Sequence, residues 1–404
     1  MATARPPPGH SASEARSARN RAAATTPATV PWQELTTTLY VVRRPRRGTP
    51  VGARHGLEGA AKTRGPSARC RAGRSRAAGR WIARRFYLGG LDRLMDEPWL
   101  RIEAISGTSA GAMNAVVLAG GFMTNGRAGA KSALEAFWRR VAHSARFSLI
   151  RRSPLDVILG RWTLDTSPFY LAFDLASRVF SPYDLNLAGT NPLHQVLAES
   201  VDSRQIANSP IRLFVTATNV HTGRGRVFRN AELSPDVLLA SACLPTLFRA
   251  IEIDGESYWD GGYSGNPTIT PLVRECDSHD TLLVAVNPVE RPGTPRSTRE
   301  ILDRLNEIAF NATLLKELRM IALLRQVADA GSSEGRKWAE MRIHLIASKV
   351  LAGLGVSSKL NAEWDFLCML RDEGRRAAEA FLVANDQNIG RRSSMDLDLL
   401  LEQV

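Results

Sequence analysis

From residue 91 onward the apolar positions fall into blocks whose period switches between helix and strand. Leu91, Leu94 and Met95 lie at helical spacing ahead of Pro98. Residues 101–105 alternate polar and apolar and run into Ser106-Gly107, which predicts a strand that stops in a turn. Residues 110–118 are small and apolar and are followed by Gly120-Gly121, the pattern of a packed helix with a glycine terminus. A second helix is expected over residues 130–145. A connector with Pro154, Pro168, Pro182 and Pro192 then runs to about residue 202. The apolar run at 211–218 predicts a buried strand, with 226–228 as its partner. A short helix is expected over 237–242 and a hairpin over 251–258, turning at Asp254-Gly255. The run Leu282-Leu283-Val284-Ala285-Val286 is continuously apolar and predicts a strand buried on both faces. Beyond Pro295 the period is helical, with one further strand expected over 341–346 and a closing helix over 362–384. The alternation of strand, tight turn and buried helix defines an α/β fold: a central, mainly parallel sheet with helices on both faces.

Before residue 91 the texture differs. Residues 1–90 carry 18 Lys and Arg against 3 Asp and Glu, a net of +15, whereas the rest carries 35 against 37, so the net of +13 arises there. This stretch is rich in Arg, Ala, Gly and Pro and shows no sustained period, except a short apolar run at Leu39-Tyr40-Val41-Val42 that fits a strand. Three divisions follow: a disordered basic segment over 1–85, an α/β core over 86–290, and a mainly helical remainder over 291–404. The arginines lack the interleaved aromatics of a nucleic-acid module, so no nucleic-acid partner is expected. Across the 404 residues, 44% are hydrophobic and four are cysteines without paired or metal-ligand spacing. That composition argues for a globular body without a disulfide framework or zinc site, in a reducing compartment. No apolar run approaches the roughly 20 residues that span a bilayer. A cytoplasmic protein, peripheral at membranes if it meets them, is the expectation.

Two motifs carry candidate chemistry. Gly107-Thr108-Ser109-Ala110-Gly111 is a G-x-S-x-G between a strand and a small-residue helix. Glycines on both flanks let a serine sit on a sharp turn with its hydroxyl exposed, and the helix that follows aims backbone amides at developing oxyanion charge. Asp260-Gly261-Gly262 follows a strand end, where an aspartate before two glycines fits a crowded place. Taken alone it also fits a structural Asx turn. Only His279 and His344 lie C-terminal to Asp260, and neither occupies a loop suited to a Ser-Asp-His triad.

The pair of motifs, with Phe214–Asn219 and the run from Ala240 to Pro245 between them, resembles the patatin-like phospholipase family. The resemblance covers about residues 91–289. It implies a three-layer α/β/α fold and a lipid acyl hydrolase without a cofactor or metal. It also implies a dyad of Ser109 as nucleophile and Asp260 as general base, working through an acyl-enzyme. Gly107, Ala110, Gly111, Gly261 and Gly262 would support the motifs and the oxyanion. The implied partner is a lipid ester, in particular a phospholipid, reached by peripheral membrane contact; Leu314, Leu315, Leu318 and Ile321 are candidates for docking or, alternatively, for an ordinary core face. A triad esterase using His279 or His344 is a competing reading.

One part of the family pattern is missing. The resemblance calls for a glycine-rich oxyanion loop at about residues 77–90, but the chain reads Ala77-Ala78-Gly79-Arg80-Trp81-Ile82-Ala83-Arg84-Arg85-Phe86-Tyr87-Leu88-Gly89. Codons exist for these residues that, read one base later, encode Leu-Gln-Gly-Gly-Gly-Ser-His-Gly-Ala-Phe-Thr-Trp-Gly. A shifted reading frame over much of the first ninety residues is therefore one expectation. A catalytically impaired lipid or protein binder is the alternative function if the sequence stands.

Overall fold

A computed structural model describes residues 37–44, 82–145, 151–185, 191–285, 293–329, 331–352, 354, 357–358 and 361–399. Eight strands form one sheet: β1 Thr37–Arg43, β2 Arg101–Gly107, β3 Arg212–Asn219, β4 Gly225–Arg229, β5 Ile251–Ile253, β6 Glu256–Asp260, β7 Asp280–Ala285 and β8 Arg342–Ile346. The hydrogen-bonded path is β5-β6-β3-β2-β1-β7-β8, with β4 on β3. β2 and β3 are parallel, as are β7 and β8. Because β1 is antiparallel to both β2 and β7, those four strands share one direction and β1 runs against them. Their centres are buried and apolar, Leu213-Phe214-Val215 in β3 and Leu282-Leu283-Val284-Ala285 in β7, as strands covered on both sides require.

The helices used below are α1 Ile82–Leu94, α2 Ala110–Ser144, α3 Pro168–Val179, α4 Pro235–Ser241, α5 Thr270–Glu275, α6 Thr298–Val327 and α7 Trp364–Asn385. α1 and α7 pack backbone against backbone. A Cβ on Gly89 would lie 1.9 Å from the Arg371 carbonyl oxygen, and one on Gly374 would lie 2.1 Å from that of Phe86. Only glycine allows that approach.

Three expectations change. Gly120-Gly121 does not end a helix; α2 runs on to Ser144 through a kink at Asn125–Gly126. A Cβ on Gly121 would lie 2.5 Å from the Gly129 carbonyl oxygen, so this glycine permits the two halves of α2 to fold together. The proline-rich connector is not structureless. Pro154, Pro168, Pro182 and Pro192 each begin a helix, where a fixed φ and a missing N–H cost nothing. Thr37–Arg43 and Ile82–Arg85 lie inside the segment 1–85 expected to be disordered, yet the first forms an interior strand between β2 and β7 and the second begins α1. Leu39 to Val42 are 1% exposed or less, which accounts for the apolar run. Apart from Arg44, the rest of that segment lies outside the described residues.

Candidate functional site

Ser109 follows β2 and opens α2 with φ 54° and ψ −116°. Ser109 and Asp254 are the two non-glycine residues with positive φ among those described. Asp254 belongs with Gly255 to the expected hairpin turn. Ser109 has no such local reason: its conformation is strained and is imposed by its surroundings. The neighbouring glycines make room. A Cβ on Gly107 would lie 2.6 Å from the Gly111 carbonyl carbon, and one on Gly111 would lie 2.2 Å from Thr38 Oγ1. The Gly111 N–H donates to the Thr108 carbonyl at 2.9 Å. The Ala110 N–H has no acceptor among the described residues, which leaves it as a free donor beside the Ser109 side chain, at the positive end of the helix.

Asp260 ends β6 and is 1% exposed. Its Oδ1 accepts the Gly262 N–H at 2.8 Å, and its own N–H donates to the Cys243 carbonyl at 2.7 Å. Thr218 Oγ1 donates to the Asp260 carbonyl at 2.8 Å. Both glycines after it are needed. A Cβ on Gly261 would lie 2.0 Å from the Thr216 carbonyl oxygen and 2.9 Å from Thr108 Cγ2; one on Gly262 would lie 2.2 Å from the Phe310 ring of α6.

β3 brings the two motifs together. Phe214–Thr218 pair with β4 along one edge of β3, so its other edge serves both β2 and β6. Gly107 pairs with Val215 and Asp260 with Ala217, two residues apart or about 7 Å along the strand. The side chains seal this junction: Thr108 Oγ1 donates to the Gly265 carbonyl at 2.8 Å and Ser106 Oγ to that of Thr268 at 2.7 Å.

The histidines lie elsewhere. His344 on β8 is fully buried, with Nε2 3.1 Å from Asp280 Oδ1 and Nδ1 3.2 Å from Ser394 Oγ. β8 stands three strands from β2, about 14 Å across the sheet. His279 precedes β7, and Asp280 lies level with Ile102 at the far end of β2 from Ser109. Of the candidate docking residues, Leu314, Leu318 and Ile321 are core, fully buried. Exposed apolar side chains lie instead on other faces: Ile301, Leu305 and Ile308 on α6, and Phe169, Leu175 and Val179 on α3. The sequence reading missed Ser241, Thr108 and Thr216 as parts of the site. Their hydroxyls and carbonyls act through contacts between distant segments, which no local pattern reveals.

The region of the expected oxyanion loop is divided. Residues 77–81 lie outside the described residues and residues 82–94 are helix α1. β1 begins at the Ser109 end of the sheet and ends at Arg43, paired with Arg101 at the opposite end.

Fold and site together define an α/β protein with a strained serine between strand and helix and a buried Asp-Gly-Gly beside it. A family model for patatin-like phospholipase matches residues 84–273. The chain carries a patatin-like phospholipase domain, of a family of lipid acyl hydrolases. A search of curated proteins found no match to the chain.

Proposed function

We propose that the chain hydrolyses a carboxylic ester of a phospholipid or lysophospholipid with Ser109 as nucleophile and Asp260 as general base. The observation that carries this reading is the shared edge of β3, which sets Asp260 two residues beyond Gly107 while Ser109 is held in a strained turn. The Asp260 carboxylate takes the proton of Ser109 Oγ as that oxygen attacks the acyl carbon. The oxyanion forms facing the free Ala110 N–H and the start of α2. The proton passes from Asp260 to the leaving alkoxide, which departs and leaves an acyl-enzyme. Asp260 then deprotonates water, the hydroxide attacks the acyl carbon, and Ser109 recovers the proton as the fatty acid leaves. The distance of His279 and His344 from this junction favours the dyad over a triad.

A lipid aggregate fits the surface around the Asp260 loop. The Tyr183 carbonyl accepts from Arg249 Nη2 at 3.1 Å, linking the segment after α3 to the turn segment that leads into β5. On the other side Phe310 covers Gly262, and α6 exposes Ile301, Leu305 and Ile308 at helical spacing on the turns before it. Such apolar faces beside a site suit entry into a membrane surface.

The absence of a glycine-rich run over residues 77–89 favours a second reading, an impaired hydrolase that binds lipid. Losing one oxyanion donor costs on the order of 10²–10³ in rate. Fatty-acid release from phosphatidylcholine vesicles separates the two. The proposal expects slow release by the wild type and background release by Ser109→Ala and Asp260→Asn. Vesicle binding without release supports the impaired reading, and release that survives Ser109→Ala contradicts the assignment.

A further inference from the structure

One three-residue segment touches both halves of the candidate dyad. Ser241, the last residue of α4, is fully buried, and its Oγ accepts the Ser109 N–H at 2.9 Å. The same hydroxyl donates to the Thr216 carbonyl on β3 at 2.7 Å. Two residues on, the Cys243 carbonyl accepts the Asp260 N–H at 2.7 Å. The Thr216 carbonyl oxygen is also the atom that excludes a side chain from Gly261. The backbone of the nucleophile and the backbone of the base thus hang from Ser241 and Cys243.

We infer that Ser241 is a positioning residue for the Ser109–Asp260 pair, a role that rests on the dyad reading above. Ser109 needs an external hold because its φ and ψ are strained. A first-turn or N-cap N–H has no partner inside its helix, and a serine hydroxyl is small enough to accept it while donating onward. Ser241 therefore fixes the direction of the Ser109 backbone, and with it the line of attack of Oγ. The anchor also keeps Ser109 N–H occupied, which leaves Ala110 N–H as the donor facing the oxyanion.

The test has one readout that needs no activity and one that does. Hydrogen exchange at the Ser109 amide reports the anchor itself. Ser241→Ala removes the hydroxyl; Ser241→Cys keeps nearly the same shape with a weak acceptor and serves if the alanine variant does not fold. Both are expected to raise exchange at Ser109 more than 10-fold, while amides of β8 keep their protection. Ser241→Thr, which retains the hydroxyl, is expected to restore it. In turnover of a soluble short-chain ester, Ser241→Ala and Ser241→Cys should lower kcat about 10- to 100-fold with KM within about 2-fold, the scale of a small misplacement of reacting groups. Wild-type protection of the Ser109 amide in Ser241→Cys would overturn the inference. If the exchange result holds but the wild type shows no serine-dependent turnover, the anchor stands and the dyad reading fails.

Discussion

Thr108 donates its hydroxyl to the Gly265 carbonyl at 2.8 Å across 157 residues of chain. This bond joins the turn that carries Ser109 to the loop that follows Asp260. With Gly261 pressed on Thr108 and Thr216, it makes the two motifs one packed unit. Their relative position is then set by backbone contacts that tolerate almost no added volume.

That tightness gives the first prediction. Gly262→Ala drives a methyl into the Phe310 ring, a side chain that can be trimmed; Gly261→Ala drives one into the Thr216 carbonyl, which cannot. Gly262→Ala should cost about 1–3 kcal/mol as an overpacked site. Phe310→Ala added to it should recover part of that loss in denaturant unfolding, as coupled neighbours do. Gly261→Ala should be the more damaging and should not be rescued by Phe310→Ala.

Ser109 gives the second. Ser109→Gly relieves the positive φ and retains the N–H held by Ser241, whereas Ser109→Ala keeps the strain. Both should be inactive. The glycine variant should be more stable than the alanine variant by about 1 kcal/mol, less than the strain removed because glycine gains freedom in the unfolded chain. Equal unfolding midpoints would mean that the surroundings do not strain this residue.

Glu317 gives a pH dependence. Burial raises its carboxyl from 4.5 to about 7, against the opposing hydrogen bonds from the Ile269 and Thr270 N–H groups at the start of α5. The folded state therefore holds a proton that the unfolded state has lost between about pH 4.5 and 7. Stability should fall as pH rises through that window and be level above it, and Glu317→Gln should remove the slope. Asp280 acts separately. Burial alone would raise its carboxyl, but His344, Arg342 and the Gly390 N–H hold it well below the usual range. Its contribution is present above 3.8 and is lost only on stronger acidification.

Much of the fold was legible because its signals are local. The strands at 101–107, 212–219 and 280–285, the Asp254-Gly255 hairpin and the helix over 364–385 follow from apolar period and turn chemistry. Ser109 and Asp260 stood out for the same reason, small residues around a functional type. The direction of β1, the joining of the two halves of α2 and the anchoring by Ser241 were not legible, since each depends on contacts between segments far apart in sequence. Pro154 and Pro168 misled because proline marks a helix start as readily as a loop.

Arg85 joins the sequence question to the structure. It is fully buried, with Cys368 Sγ at 3.5 Å from Nη1 and the Trp364 ring 4.0 Å from the guanidinium, while Nε and Nη2 have no partner among the described residues. Desolvation lowers its pKa to about 10. Position 85 is one at which codons can be chosen so that the frame one base later reads alanine. Replacing the buried cation, Arg85→Met, should stabilise the fold by about 1–3 kcal/mol in chemical denaturation. An independent read of codons 40–95 tests the origin of the residue: an added or lost base near codon 90 would account for it, and an unchanged frame would exclude that explanation.

The central claim is that Ser109 is a nucleophile activated by Asp260 and by no histidine. Its most direct test is labelling with a fluorophosphonate, followed by peptide mapping, on the wild type, Asp260→Asn, His279→Ala and His344→Ala. The account predicts an adduct on Ser109 in the wild type and in every histidine variant that remains folded, and its loss in Asp260→Asn. An adduct on another residue, or labelling of Ser109 that survives Asp260→Asn but disappears in a folded histidine variant, would contradict it.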